Sequence, residues 1–240
     1  MFLLELTLPA VAEDLALDEA LLEAAEGAAT GVECLRLWEP TSLAVVVGRS
    51  SRLSAEVNLA SCAADGVPVL RRTSGGAAIV AGPGCLMYSL VLNLDARPEL
   101  RDVSVAHRFV LDRIVAALAP RVPSLRCRGT SDLALGEQKV SGNSLRLRRR
   151  HLLYHGTLLY AFPLEAIGRY LVMPPRMPDY RAGRPHEAFV THLPLAASEL
   201  RRALVSAWAA GERYPAPPLE VAGRLAREKY GTDEWNSQFV

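Results

Sequence analysis

The sequence predicts an α+β fold, with mixed, largely antiparallel β-sheets and helices packed outside them. Three observations carry that reading. The chain opens directly on an alternating strand, FLLELTLP. Short apolar runs bounded by Gly, Pro, Asn or Ser are interleaved with segments of helical period. The stretch 127–157, CRGTSDLALGEQKVSGNSLRLRRRHLLYHGT, reads as a three-stranded meander.

In order, residues 13–26 form an amphipathic helix with Leu17, Leu21 and Ala25 along one stripe. Asp18 lies on its margin, where a carboxylate more often bonds local backbone than catalyses. Cys34–Trp38 and Leu43–Gly48 are strands split by Pro40, Thr41 and Ser42. A short helix over 55–64 leads into a strand, Val67–Arg71. Next come paired arginines and Ser-Gly-Gly at a strand end, a combination suited to an anion; ordinary turns use the same glycines. Cys85–Leu94 is again a strand. Ser104 caps a helix running to about Leu118, with His107 on its surface. Leu164–Tyr170 is a short helix. The aperiodic segment 173–187, MPPRMPDYRAGRPHE, is either a lid or a passive connector. Helices over 197–210 and 218–230 close the chain.

The meander gathers the polar chemistry. Asp132–Leu135 turns at Gly136-Glu137 into Gln138–Leu147, and His151–Phe162 is the third strand. Opposed residues share a face and faces alternate along a strand. The turn at 136–137 sets Ala134 opposite Lys139 and Asp132 opposite Ser141, and a three-residue turn centred on Arg149 sets Asn143 opposite His155. One face then carries Asp132, Lys139, Ser141, Asn143, His155 and Thr157. The other, with Leu133, Val140, Leu152 and Tyr154, is a core face. Lys139 sharpens the picture. Of 27 basic residues only Lys139 and Lys229 are lysines. A lysine that persists among arginines on a polar sheet face suits a task for a compact ammonium.

The whole chain limits the alternatives. At 240 residues it is one domain, or one with a small appendage. A net charge of +1 argues against broad nucleic-acid or membrane-surface binding. Arg146–Arg150, RLRRR, reads as a solvated turn that could receive an acidic partner. No cleavable leader and no apolar run long enough to span a bilayer stand out, so a cytoplasmic location is expected. The four cysteines are irregularly spaced, and no metal site is expected. Walker-type and dinucleotide-binding glycine motifs are absent from the sequence.

Taken together, LALDEALL at 15–22, LRLWEPTSLAVVVGRSSR at 35–52, RRTSGGAAIVAGPGCLMYSL at 71–90, RGTSDLALGEQKVSGNSLR at 128–146, LLYHGTLL at 152–159 and KYGTDEW at 229–235 resemble the lipoate–protein ligase family. The resemblance implies a biotin/lipoate ligase-like catalytic domain over 1–195, followed by a short helical extension over 196–240 in place of a full accessory domain. It implies that ATP and lipoate form lipoyl-AMP, and that a lysine of an acceptor domain then takes the lipoyl group. Mg2+ would accompany the nucleotide. Acceptors of this type include 2-oxoacid dehydrogenase E2 and glycine cleavage H proteins, and a separate accessory subunit can assist. By the same resemblance, Lys139 is the catalytic lysine between acyl carbonyl and α-phosphate. Arg71, Arg72, Ser74, Gly75, Gly76 and Ala77 wrap the acyl and nucleotide groups. Asp132, Ser141, Gly142, Asn143, His155, Gly156 and Thr157 complete the pocket, with Arg181 approaching from the irregular segment. The chain departs from the family at Ala77, at Ser131, and at Ala81, where relatives carry histidine.

A rival reading makes the protein an octanoyl or lipoyl transferase with Cys127 as nucleophile. Cys127 stands five residues before Asp132-Leu133, as in one octanoyltransferase branch, and such enzymes need no ATP. Cys127 as a small buried residue and the protein as a non-catalytic lipoate or lipoyl-domain binder are the remaining alternatives.

Overall fold

The computed structural model describes residues 1–29 and 31–239. In chain order its elements are β1 (Phe2–Glu5), α1 (Val11–Gly27), β2 (Cys34–Trp38), β3 (Ala44–Val47), α2 (Leu53–Glu56), α3 (Leu59–Asp65), β4 (Val69–Arg71), β5 (Ile79–Ala81) and β6 (Cys85–Asn93). Then follow α4 (Val103–Leu118), β7 (Leu125–Arg128), β8 (Asp132–Leu135), β9 (Gln138–Leu147), β10 (His151–Leu159), α5 (Glu165–Tyr170), α6 (His186–Phe189), α7 (Ala197–Ala207), β11 (Glu212–Arg213), α8 (Leu219–Leu225) and α9 (Asp233–Asn236).

Eight strands form one sheet in the order β11-β1-β2-β6-β10-β9-β8-β7, and β4-β3-β5 form a second, smaller sheet. Pairing is antiparallel except β1 with β2 and β11, and β3 with β4. The two faces of the large sheet differ because side chains alternate. Leu35, Leu37, Tyr88, Leu90, Leu133, Val140, Leu152, Tyr154 and Leu158 pack against α4 and α7. Burying each such leucine contributes about 2 kcal/mol. The opposite face meets α1 through Leu17, Leu21, Val91 and Leu153, and meets the small sheet through Trp38, Val46 and Met87. The candidate site occupies the cleft on this second face. No described helix is long and apolar enough to cross a membrane.

Several expectations shift. The helix over 55–64 is two helices, because the chain breaks at Val57 and Asn58 caps α3 by accepting from Ser61 N. Asp102, not Ser104, caps α4; its carboxylate accepts from the amides of Ser104 and Val105 at 2.8 and 3.0 Å. His107 is buried against the sheet, 2.9 Å from Tyr154 Oη. Leu159 rather than Phe162 ends β10. The 3₁₀ turn Asp179–Arg181 and α6 give the segment 173–187 local structure.

The meander keeps its three strands but changes register. Ala134 faces Lys139 as expected, whereas a bulge after Lys139 sets Leu133 opposite Ser141 and Asp132 opposite Gly142. On the far side Leu147 pairs with Leu152, so Asn143 faces Gly156 and His155 faces Ser144. One extra residue reverses the faces downstream of it. Lys139, Gly142 and Ser144 therefore share the cleft side, while Ser141 joins the row of Leu133, and Asn143 the row of Gly156 and Tyr88.

Candidate active site

A cavity of about 420 Å³ opens between the large sheet and the loop joining β4 to β5. Leu15, Trp38, Val46 and Met87 wall one end. Lys139, Asp132, Gly142 and Thr157 floor the other, where a second chamber of about 140 Å³ begins. That chamber is lined mainly by apolar groups, including Ile79, Leu159, Ile167, Phe189 and Val190. Ala77, Lys139, Gly142 and Thr157 border both spaces.

Lys139 stands at the junction. Its ammonium lies 2.7 Å from Asp132 Oδ1, and the other oxygen of Asp132 accepts the Tyr180 hydroxyl proton at 2.8 Å. Burial, reinforced by the Asp132 charge, pushes the Tyr180 phenol well above its ordinary range, so it remains a donor. Gly142 makes room for the ammonium: a Cβ there would stand 2.9 Å from Lys139 Nζ. Thr157 Oγ1 accepts from Gly142 N at 3.3 Å and anchors the same turn of strand.

Across the cavity a buried polar chain holds the Ser-Gly-Gly loop. Arg36, in the otherwise apolar β2, is paired with both Asp14 and Asp18 of α1. Burial alone would raise the Asp18 carboxyl; Arg36, with hydrogen bonds from His155 and Ser89, outweighs burial and holds it low. One guanidinium cannot do this for two carboxylates, and burial pushes Asp14 up to about 7 despite Arg36. Asp18 Oδ2 accepts from Ser89 Oγ at 2.6 Å and lies 3.6 Å from His155 Nδ1. His155 Nε2 is 2.5 Å from Ser74 Oγ, which also accepts from Arg72 Nε at 3.1 Å. With that oxygen accepting from Arg72, the serine's own proton is available to Nε2, an arrangement that assigns a ring proton to Nδ1 on the Asp18 side.

Arg72 and Arg71 are neighbours with different roles. Arg72 borders the cavity and donates to the carbonyls of Val46, Gly75 and Ala77, fixing the loop's shape. Burial holds its pKa down to about 10, so it stays charged. The loop passes over Gly48, just beyond β3, where a Cβ would collide with the Gly76 carbonyl, and Gly76 itself has φ of 87°. Among the described residues the amides of Gly75, Gly76 and Ala77 meet no protein acceptor. Arg71 does not reach the cavity. Its guanidinium donates to the carbonyls of Gly48, Arg49 and Ser51 on one side and Trp235, Asn236 and Gln238 on the other. Expected to bind substrate, it instead ties the loop region to the C-terminal segment.

Other expected site residues are redistributed. Asn143 borders the cavity, but its amide group is held by the Tyr88 hydroxyl, the Ser131 carbonyl and Ser141. Gly156 must lack a side chain, since a Cβ would collide with that amide oxygen. Ser141 borders the second chamber, as does Arg181, whose guanidinium lies 4.8 Å above the Phe189 ring and donates to the Arg184 carbonyl. Ala81, where relatives carry histidine, is buried in β5 opposite Ala44 and lines neither chamber.

Cys127 is turned away. It pairs with Leu133 and so faces α4, where its thiol donates to Asp112 at 3.5 Å. Burial, then Asp112, push the thiol up to about 11, opposite to what a nucleophile needs. No group of three His, Cys, Asp or Glu able to hold a metal occurs among the described residues. Sequence reasoning missed Asp18, Trp38, Met87, Ser144 and Tyr180. The available signal for Asp18 was the lone arginine in CLRLW, which must find buried carboxylates.

Comparisons with known proteins bear on the family and the fold. The family described as "Lipoyl protein ligase A/B catalytic domain" matches residues 10–203. A putative lipoate-protein ligase A of Aeropyrum pernix is 36% identical over 160 residues, covering 66% of this chain and 57% of the relative. A putative lipoate-protein ligase A of Schizosaccharomyces pombe is 29% identical over 60% of this chain, which spans 38% of that relative. The chain thus covers about half or less of the length of these relatives. Among solved structures, the bipartite lipoate protein ligase of Thermoplasma acidophilum, determined together with its E2 lipoyl domain, superposes with a TM-score of 0.84 at 23% identity, covering 100% of this chain and 96% of that one. A lipoate-protein ligase A bound with ATP gives 0.81 at 23% identity, with 100% and 99% covered. At such identity these likenesses speak for the fold.

Proposed function

Because the chain belongs to the lipoyl protein ligase A/B catalytic domain family, we propose that it activates lipoate with ATP to lipoyl-AMP and passes the lipoyl group to a lysine of an acceptor protein domain. The observation that carries this reading is the meeting of two chambers at Lys139. A two-substrate condensation needs two pockets that share one cation. The end walled by Leu15, Trp38, Val46 and Met87 suits the apolar acyl body, and the smaller apolar chamber suits the flat adenine ring. The carboxylate and α-phosphate then converge beside Lys139.

In this scheme a lipoate carboxylate oxygen attacks the α-phosphorus and pyrophosphate departs. Lys139 stabilises charge on the acyl and phosphate oxygens, and Asp132 with Tyr180 holds the ammonium in place. The amides of the Gly75–Ala77 loop, shaped by Arg72, face the anion. In the second step the acceptor amine displaces AMP, whose phosphate oxygen leaves with the bonding electrons. Mg2+ would enter with the nucleotide, held by its phosphates. We read residues 1–195 as the catalytic unit and 196–240 as its helical extension, acting in the cytoplasm on E2-type or H-type lipoyl acceptors, with a separate accessory subunit where adenylation requires one. The relative determined with its E2 lipoyl domain supports that acceptor class.

The cysteine-transferase alternative loses its support with Cys127 facing α4. Lipoate-dependent exchange of pyrophosphate into ATP, with and without acceptor domain, tests the proposal. Exchange that requires lipoate and lipoylation that requires ATP are expected. Acyl transfer from a carrier at a rate indifferent to ATP would overturn it.

A further inference from the structure

The small sheet has an open edge at β4, and the C-terminal segment closes it with side chains. Arg72 N donates to the Val47 carbonyl at 3.0 Å, so the amide and carbonyl of Arg71 point away from β3. There Asn236 Oδ1 accepts from Arg71 N, and Trp235 Nε1 donates to the Arg71 carbonyl, both at 2.8 Å. Asn236 Nδ2 in turn donates to the Tyr230 carbonyl at 2.9 Å, which fixes the amide group. The buried Arg71 guanidinium works in two directions from the same place. It donates to the carbonyls of Gly48 and Ser51 at 2.8 and 2.9 Å, and to those of Trp235 and Asn236, both at 3.2 Å.

The turn held on one side of that guanidinium holds the substrate loop. Arg49 N donates to the Ser74 carbonyl at 2.8 Å, Ser51 Oγ donates to the Gly76 carbonyl at 3.2 Å, and the Gly76 carbonyl packs directly over Gly48. Contacts therefore run from Trp235 and Asn236 through Arg71 to the Gly48–Ser51 turn, and from there to two carbonyls that set the curve of the Arg72–Ala77 loop. The attachment is chiefly polar. Of α9, only the half-buried Trp235 packs against the apolar core, so the fold gains little from the segment. A buried guanidinium whose hydrogen bonds go to carbonyls carries a desolvation cost and adds little stability of its own. What it adds is a fixed loop.

We propose that Arg71, Trp235 and Asn236 form a clamp of positioning residues, which holds the Arg72–Ala77 loop in the shape that receives lipoate and nucleotide. The inference rests on the ligase reading, which places both substrates beside that loop. Arg71, Trp235 and Asn236 line neither chamber, so they act through the loop and not on the reacting atoms. Their effect is on populations. With the clamp open the loop samples other shapes, and apparent affinity falls with the fraction of time spent in the competent one. The chemical step, once the loop is in place, keeps its rate. The end of the helical extension thereby belongs to the working site and is no appendage.

The test pairs two deletions with a rescue in the full chain. Trp235→Phe removes the Nε1 donor and keeps a ring beside Lys229. Asn236→Ala removes the acceptor for Arg71 N, and Asn236→Asp restores one. Hydrogen exchange without ligand reads the loop itself. The amides of Arg49 and Ala78, which donate to the Ser74 carbonyl and to Glu56, should exchange about tenfold faster in both deletions, with β6 and β10 unchanged. Calorimetric titration of lipoate should show about tenfold weaker binding, and the KM for lipoate should rise to match with kcat within about twofold. Asn236→Asp should stand close to the parent throughout. Deletions that leave Arg49 and Ala78 protected, or that speed exchange equally in β6 and β10, would overturn the clamp. So would a loosened loop with parental lipoate affinity, or an Asn236→Asp protein no better than Asn236→Ala. A parent protein that binds lipoate in this clamp-dependent way yet shows no lipoate-dependent pyrophosphate exchange would instead sink the ligase reading and leave the clamp standing.

Discussion

The two lysines of this arginine-rich chain each hold a carboxylate, in contrasting surroundings. Lys139 meets Asp132 at 2.7 Å on the floor of the cavity, where two chambers join. Lys229 meets Glu19 at 2.6 Å beneath the C-terminal segment, with its ammonium 4.2 Å from the centre of the Trp235 ring. The first pair faces space that a substrate can enter. The second is closed by the Tyr230 hydroxyl, which donates to Glu19 at 2.7 Å, and by the stacked tryptophan. Scarcity of lysine therefore marks positions where a compact ammonium is needed, and the cavity decides whether the need is chemical or structural.

Replacing each lysine separates the two. Lys139→Arg should leave unfolding unchanged and lower adenylate formation about a hundredfold, the scale of losing one preorganised donor. A folded Lys139→Arg protein with parental exchange would erase the distinction. Asp18→Asn sharpens it from the other side of the cavity. With the carboxylate gone, the Nδ1 proton of His155 loses its charged partner and Ser74 its fixed orientation. About a tenfold loss of exchange is expected, together with a changed nitrogen chemical-shift pattern for the His155 ring. An unaltered pattern would show that Asp18 does not orient the imidazole.

Lys229→Met should act on stability instead, by about 2 kcal/mol, because Glu19 would be left buried without its main partner. The pH dependence carries the sign. Burial would raise the Glu19 carboxyl, but hydrogen bonds from Lys229 and Tyr230 outweigh it and hold the pKa below its ordinary value. A depressed folded pKa contributes stability above the unfolded value of about 4.3 that is lost as pH falls through the folded one. Chemical denaturation from pH 7 downward should show that loss in the parent and less of it in Lys229→Met. Equal acid sensitivity in both would show that Lys229 does not hold the Glu19 carboxyl low.

Much of this contrast was legible in the sequence, and the parts that were not have physical causes. The meander, its core face and Lys139 follow from alternation and turn chemistry, which are local. The bulge after Lys139 is not, because nothing in QKVSGN distinguishes a bulged strand from a regular one; it moved Ser141 and Asn143 off the expected face. Arg71 and Arg72 are identical in sequence terms, and only the arrival of residues 235–238 engages the first with structure while the second borders the cavity. Asp18 escaped for a similar reason: its partners, Arg36, Ser89 and His155, come from three strands.

The smallest expected effect tests the rival chemistry on the opposite face of the same sheet. Cys127 and Lys139 belong to strands flanking β8, yet alternation sends the thiol toward α4 and the ammonium into the cleft. A transferase would need that thiol as a thiolate beside the acyl group. Burial and Asp112 push it up to about 11, so near pH 7 it is almost wholly protonated. Cys127→Ser keeps a donor for Asp112 and should change lipoylation by less than about twofold, because an adenylate already carries the activation and no protein nucleophile is required. Incubation with an octanoylated carrier should leave no acyl adduct on Cys127 by mass spectrometry. An adduct there, with transfer abolished in Cys127→Ser, would mean that the sheet turns its other face to the chemistry and that Lys139 is the structural lysine.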